Sequence, residues 1–383
     1  MERIQSINPA RLEWCLADRG VTVETCAIDL GIAQTNLKKV LDGEPGLTFN
    51  QLRKVAEYFG RGVLFFLEPG LVVESQVHSP QFRTLANRKP ELSGKLKALI
   101  ERVERQRDVY MSLRDEVDSE VIPMFQPPRI PRQDVRAAAV TVRRWLALNI
   151  HNTFETYRQA IESKGILVFR SNGYNGKWQI AKESPILGFS LYDAKCPVIV
   201  VRKRRWDSQQ CFTLMHELGH ILLERASSID DESDIYHGTG NEQRANAFAG
   251  FVLVPDEFLG TIRDDDKPSE VSGYDGWLAV QRKSWGVSTE VILRRLLDAR
   301  RLTSTDYNAY RHWCKKFEDS NEDPGGSREY RHREPKHIFG EPYVRTVLEA
   351  LNTKKISLNK ASTYLDNLKI RDLRTLEQHC ASL

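Results

Sequence analysis

The stretch His216-Glu217-Leu218-Gly219-His220 constrains this chain more than any other, because two imidazoles and one carboxylate at that spacing act together only on a helix. Side chains four positions apart share a helix face, so His216 and His220 can reach one zinc ion while Glu217 turns toward a water beside it. The flanks support a helix. Cys211-Phe212-Thr213-Leu214-Met215 precedes the motif and Ile221-Leu222-Leu223 follows it, with apolar positions at near-helical spacing, as in a helix buried behind an active site. The same string also arises by chance in long helical proteins, where the histidines are core residues or solvated, so a further ligand must separate the two readings.

Catalytic zinc usually takes three protein ligands and leaves one position to water. Glu242 is the candidate for the third. It opens Glu242-Gln243-Arg244-Ala245-Asn246-Ala247-Phe248-Ala249, a helical pattern far enough past His220 for a loop and a returning antiparallel helix. The expected set is therefore His216, His220 and Glu242 around Zn2+. Asn246 lies one turn beyond Glu242 on the same face, where it is either an ordinary polar residue or a hydrogen-bond partner that fixes the tautomer of a ligand histidine. Ala245, Ala247, Ala249 and Gly250 predict a close approach of this helix to the HExxH helix. Among other histidines, His237 falls in the polar stretch 227–240, read as a loop. His332 and His337 sit in a charged stretch and are expected to be solvated.

These residues together resemble the ImmA/IrrE family of metallopeptidases over about residues 166–255. The family pattern is an HExxH helix, a Glu-x-x-Ala-Asn-x-Phe-Ala helix, and an apolar run ending in proline, here Phe251-Val252-Leu253-Val254-Pro255. Upstream, Gly188-Phe189-Ser190-Leu191-Tyr192 and Pro197-Val198-Ile199-Val200-Val201 look like the small sheet that precedes the HExxH helix in that family. Matched position by position, the resemblance implies that His216, His220 and Glu242 bind zinc and that Glu217 is the general base.

The amino-terminal region carries an independent signal. Residues 23–41 read as two short helices joined by a glycine turn at Gly31, with Ala27 small at their crossing and Ile32, Leu37 and Val40 on the buried side. Gln34, Thr35, Asn36, Lys38 and Lys39 are expected to face outward, amides toward base edges and lysines toward phosphates. Leu52, Val55, Ala56, Tyr58 and Phe59 supply later helices. The region resembles Xre/Cro-type DNA-binding domains over roughly residues 9–69. The alternative is a helical module that docks a protein or only stabilises the chain. With so few positive charges on the second helix, and Asp42 and Glu44 close behind it, tight DNA binding requires a dimer.

The 383 residues suffice for two or three domains, and 40% hydrophobic with 28% charged is ordinary for a globular protein. A net charge of +4 neither demands nor excludes nucleic acid, although Arg202-Lys203-Arg204-Arg205 and residues 328–333 are locally basic. The six cysteines, Cys15, Cys26, Cys196, Cys211, Cys314 and Cys380, form no CxxC pair, as expected of reduced thiols in a cytoplasmic protein. No signal core or membrane-length apolar run is present in the sequence, so a membrane partner is not expected.

Five segments are predicted: a helix-turn-helix domain at 1–70, a helical connector and proline-rich boundary at 71–131, a zinc metallopeptidase domain at 132–260, a helical extension at 261–318, and a carboxy-terminal helical unit at 336–383. The fold class is α+β and mainly α-helical, with the small sheet confined to the peptidase domain. Apolar periodicity predicts one long helix over 95–117 and another over 133–148. Residues 277–297 imitate a second helix-turn-helix around Trp285-Gly286-Val287-Ser288 and are read as packing.

The expected function is zinc-dependent endoproteolysis of a partner protein, which the resemblance makes a repressor or antitoxin-like substrate, coupled to DNA binding and with a homodimer as one possible assembly. The alternative is a DNA-binding regulator or antitoxin whose peptidase-like domain senses a signal or holds a partner uncut. A donor for the oxyanion is not evident; Tyr236 and His237 are the nearest candidates.

Overall fold

The structure, a computed structural model, describes residues 2–79, 82, 85, 92–117, 123–171, 176–181, 183–231, 233–234, 239–318 and 328–381. Tyr236 and His237 lie outside the described residues. The chain forms two compact units, Met1–Arg105 and Gln106–Leu383. The helix Gly94–Val117, anticipated by the periodicity of 95–117, contains the point of division.

The first unit is built from capped helices. Asn8, Thr22 and Thr48 accept first-turn amides of Pro9–Arg19, Val23–Leu30 and Phe49–Phe59, and Thr48 and Gln51 form a reciprocal capping box. Gly31, at φ 61°, makes the left-handed turn between Val23–Leu30 and Gln34–Leu41. Cys26, Ala27, Ile32, Leu37, Val40, Leu52, Val55 and Phe59 close one apolar core.

The second unit wraps helices around a four-stranded mixed sheet. Its strands are β1 (Leu167–Arg170), β2 (Ile186–Leu191), β3 (Val198–Val201) and β4 (Ser228–Asp231), in the order β1-β3-β2-β4. β1 runs parallel to β3, and β2 runs antiparallel to both β3 and β4. Burial on both faces explains why β2 and β3 read as near-continuous apolar runs rather than as alternating patterns. β4 corrects the reading of 227–240 as a loop throughout. Only Ile229 in it is apolar, so the polar composition hid a strand whose Ser228 and Asp230 are buried for other reasons.

The HExxH helix, Asp207–Gly219, packs on β2 and β3, and the helix Asn241–Leu253 packs on it and on Val135–Trp145. A Cβ on Gly219 would lie 3.5 Å from Ala245 Cβ, so these two small residues set the close crossing; Gly250 instead faces the Arg295 side chain. Helices Ala279–Trp285 and Thr289–Asp298 bury Trp285, Ile292, Leu293 and Leu296 in the same core as the HExxH helix. The imitation of a second helix-turn-helix is thus packing.

Helix Glu334–Asn352 covers β1, with Phe339 and Tyr343 edge-on to Phe169 at 5.6 and 5.9 Å. It kinks at Gly340, φ 80°, where any Cβ would fall 1.9 Å from Glu162 Oε1. Buried Arg158 holds the kink: it donates to Glu162 Oε1 at 3.0 Å and to the carbonyls of His337, Val168 and Ile338 at 2.9, 2.6 and 3.2 Å. His337 is therefore half-buried rather than solvated. Burial and the neighbouring Arg170 and Arg158 guanidiniums push its imidazole down to about 3. Helices Leu358–Tyr364 and Ile370–Ala381 complete the unit. Among the described residues no helix is long and apolar enough to cross a membrane.

Candidate metal centre

The HExxH helix does not stop at Gly219. It widens into a π-helical turn, His220–Glu224, and ends at Arg225 in the left-handed region at φ 53°. Such turns are rare and concentrate at functional sites. Here the turn sets Glu224 Oε2 3.0 Å from His220 Nδ1. On the other histidine, Nδ1 lies 2.9 Å from Asn246 Oδ1, while Asn246 Nδ2 donates to the carbonyl of Asp234 at 2.9 Å. Both Nδ1 atoms thus meet acceptor oxygens, which turns both Nε2 atoms to one point.

Four donors converge there. His216 Nε2 and His220 Nε2 are 3.0 Å apart, and Glu242 Oε2 is 3.3 and 3.2 Å from them. Asp230 Oδ2, from β4, is 3.5 Å from each. All four ligand atoms lie within 4.8 Å of one another. Asp230 Oδ2 and Glu242 Oε2 are buried atoms without a hydrogen-bond partner among the described residues. Buried, unpartnered carboxylate oxygens are costly unless a cation faces them. Two carboxylates with two imidazoles carrying free Nε2 lone pairs balance a divalent ion, so the residues fit a metal.

The electrostatics agree. Burial disfavours charge on His216, yet Asp230 and Glu242 outweigh it and raise the imidazole; at His220 burial is outweighed by Glu224 and Glu242, and the ring rises to about 10. Burial likewise opposes ionisation of Asp230 and Glu242, but the histidines hold both carboxyls below the usual range. The cluster attracts positive charge, which a metal supplies in place of the protons it displaces.

Glu217 is fully buried, and neither of its oxygens meets a donor in hydrogen-bond geometry among the described residues. Burial first, then Asp230, pushes its carboxyl well up. Gly188 of β2 lies against it: a Cβ there would fall 3.2 Å from Glu217 Oε1 and 2.7 Å from Thr213 Cγ2, so only glycine leaves this carboxylate its space.

With that geometry in place, the comparison with known families is direct. Residues 161–297 match the model of the IrrE N-terminal-like domain, peptidase family M78. The match supports a peptidase-type enzyme related to the ImmA/IrrE family. It begins on the helix Phe154–Glu162 and runs through the sheet, both site helices and the pair Ala279–Trp285 and Thr289–Asp298. It therefore reaches beyond Pro255, where the motif resemblance ends, in keeping with the core those later helices share. No curated protein and no solved structure matches the chain.

Sequence reasoning missed Asp230 and Glu224. Glu224 had a signal, its four-residue spacing from His220; Asp230 had none, because only the β2–β4 pairing carries it to the histidines. A second cluster of metal-ligating types, Asp18, His78 and Glu101, lies in the first unit. There Arg19 and Arg61 already engage Glu101, and although burial opposes it, they and His78 hold that carboxyl at about 2. It is an ion-pair network.

Of the candidate DNA contacts, Thr35, Lys38 and Lys39 are exposed. Gln34 and Asn36 are half-buried: Gln34 Nε2 donates to Glu24 Oε1 at 2.5 Å, and Asn36 Oδ1 accepts from Arg3 at 3.4 Å.

Proposed function

We propose that the protein is a zinc-dependent endopeptidase that cleaves a partner protein of repressor or antitoxin type, with an amino-terminal helix-turn-helix domain that binds DNA. The observation that carries the peptidase reading is the convergence of His216, His220, Glu242 and Asp230 on one point with the buried carboxylate of Glu217 beside it, which has no hydrogen-bond partner among the described residues. His216, His220 and Glu242 would hold Zn2+. Bound there, the ion would lower the pKa of a water and polarise the scissile carbonyl. Glu217 takes the proton of the attacking water and returns it to the leaving amine, while Asn246 and Glu224 fix the imidazole rings through Nδ1.

Each of His216→Ala, His220→Ala and Glu242→Ala is expected to lower bound zinc sharply, by elemental analysis after dialysis, with most of the helical circular dichroism retained. Full zinc retention in all three variants would remove the site.

The DNA reading rests on the helices Val23–Leu30 and Gln34–Leu41 around Gly31, with Thr35, Lys38 and Lys39 open to solvent. The full-length protein is expected to select a dyad-symmetric DNA, with affinity falling as salt rises. Gln34→Ala, Asn36→Ala and Lys38→Ala combined should erase the sequence preference. If selection at low salt yields no preferred sequence for the wild type, the first unit is a protein-docking module instead.

A second reading is a regulator whose peptidase-like domain holds its partner uncut. The complete burial of Glu217 favours it. Cells carrying Glu217→Gln separate the two: regulation like that of the wild type means that cleavage is not the function.

A further inference from the structure

The four donors of the metal centre have the spacing of a closed site. In tetrahedral zinc sites nitrogen and oxygen ligands sit at about 2.0–2.2 Å, which makes neighbouring ligand atoms roughly 3.3–3.5 Å apart. The separations among His216 Nε2, His220 Nε2, Glu242 Oε2 and Asp230 Oδ2 are 3.0, 3.3, 3.2, 3.5 and 3.5 Å, five of the six edges of such a tetrahedron. Asp230 thus stands where a three-ligand catalytic site keeps its open position.

The geometry points to Asp230 as a fourth metal ligand that closes the site at rest and must withdraw before a water and a substrate carbonyl can enter. The inference rests on the metal reading above and concerns this residue alone. Three observations separate it from a supporting role. A residue that orients a ligand histidine bonds Nδ1, but both Nδ1 atoms are engaged, by Asn246 and Glu224, and Asp230 faces the Nε2 atoms. Its two oxygens are divided: Oδ1 accepts from the Ser228 hydroxyl at 3.1 Å, whereas Oδ2 is buried, has no hydrogen-bond partner among the described residues, and is aimed at the shared point. Its surroundings are acidic, with Glu217 and Glu242 beside it, which favours a cation at the shared point.

The placement also explains how the residue can leave. Asp230 lies on β4, the last strand in the order β1-β3-β2-β4, which among the described residues pairs only with β2. It stands opposite Gly188, and the β2–β4 register shifts between Ile186 and Gly188. Irregular pairing at a sheet edge is where strands bend and side chains are re-aimed. A rotation of the Asp230 carboxylate, or a small displacement of β4, vacates one corner and leaves His216, His220 and Glu242 in place. The peptidase is then latent, and whatever moves β4 sets its activity.

The test uses the full-length protein loaded with Zn2+ or with Co2+, a spectroscopic substitute, and compares wild type with Asp230→Ala and the isosteric Asp230→Asn, which keeps the shape of the side chain. Zinc affinity is measured by chelator competition. Loss of a supporting residue commonly costs about 10–100-fold, so loss of a ligand is expected to cost at least roughly 100-fold in both variants. The visible spectrum of the Co2+ form should be unmoved by acetohydroxamate in the wild type and should shift in Asp230→Ala, whose fourth position is open. If either variant binds zinc as tightly as the wild type, or if the wild-type cobalt spectrum responds to hydroxamate as the variant does, Asp230 does not close the site. A wild-type protein that takes up neither metal overturns the metal reading itself, a different failure, with His216→Ala as the control that marks it.

Discussion

Replacing Glu217 by glutamine is expected to leave the fold and the bound metal unchanged while slowing cleavage of the partner by roughly a hundred- to ten-thousand-fold, the usual worth of a general base. The amide has the same shape, so Gly188 still leaves it room, but it cannot accept the proton of the attacking water. Zinc content should not change, because the ligand atoms converging on the site belong to other residues. The readouts are elemental analysis, circular dichroism and the time course of cleavage of a co-purifying partner. The substitution also removes one buried acid from a cluster with an excess of them, so thermal stability should be equal to or above that of the wild type. Cleavage at the wild-type rate by Glu217→Gln would exclude Glu217 as the base.

What the sequence disclosed follows from where each signal resides. The HExxH spacing and the Glu242–Asn246 spacing are local properties of helices: His216 and the Glu242–Asn246 pair sit in the helices expected of them, and His220 opens the π-helical turn that continues the first. The helix 94–117 and the apolar faces of the first unit were legible for the same reason, through apolar periodicity. β4 was not legible, because a four-residue strand with one apolar side chain has no periodic signature and exists only through its pairing with β2. Asp230 inherits that invisibility. Gly250 and His337 show the same limit from the other side: composition placed one against the HExxH helix and the other in water, whereas packing against Arg295 and Arg158 decides both positions.

Arg158 is where the largest loss of stability is expected. Its side chain is 2% exposed, and it satisfies Glu162 together with three backbone carbonyls from β1 and the helix Glu334–Asn352. Arg158→Leu fills much of the volume but leaves Glu162 and those carbonyls buried without partners, and breaking a buried ion pair from one side costs about 3–5 kcal/mol. The melting temperature should fall by on the order of 10 °C. The pH dependence identifies the cause. Burial raises the Glu162 carboxyl to about 7 even against the pull of Arg158, so between its ordinary value and about 7 the folded state holds a proton that the unfolded state has released. Stability from this group therefore falls as pH rises through that window. Without Arg158 nothing opposes burial, so the window extends upward and the deficit of Arg158→Leu relative to wild type should grow from pH 6 to pH 8. Arg158→Leu combined with Glu162→Leu should recover part of the loss and flatten that dependence, because the orphaned carboxylate is gone while the carbonyls remain unpaired. A single variant whose deficit is the same at pH 6 and pH 8 would show that lost packing, and not the stranded acid, is the cause.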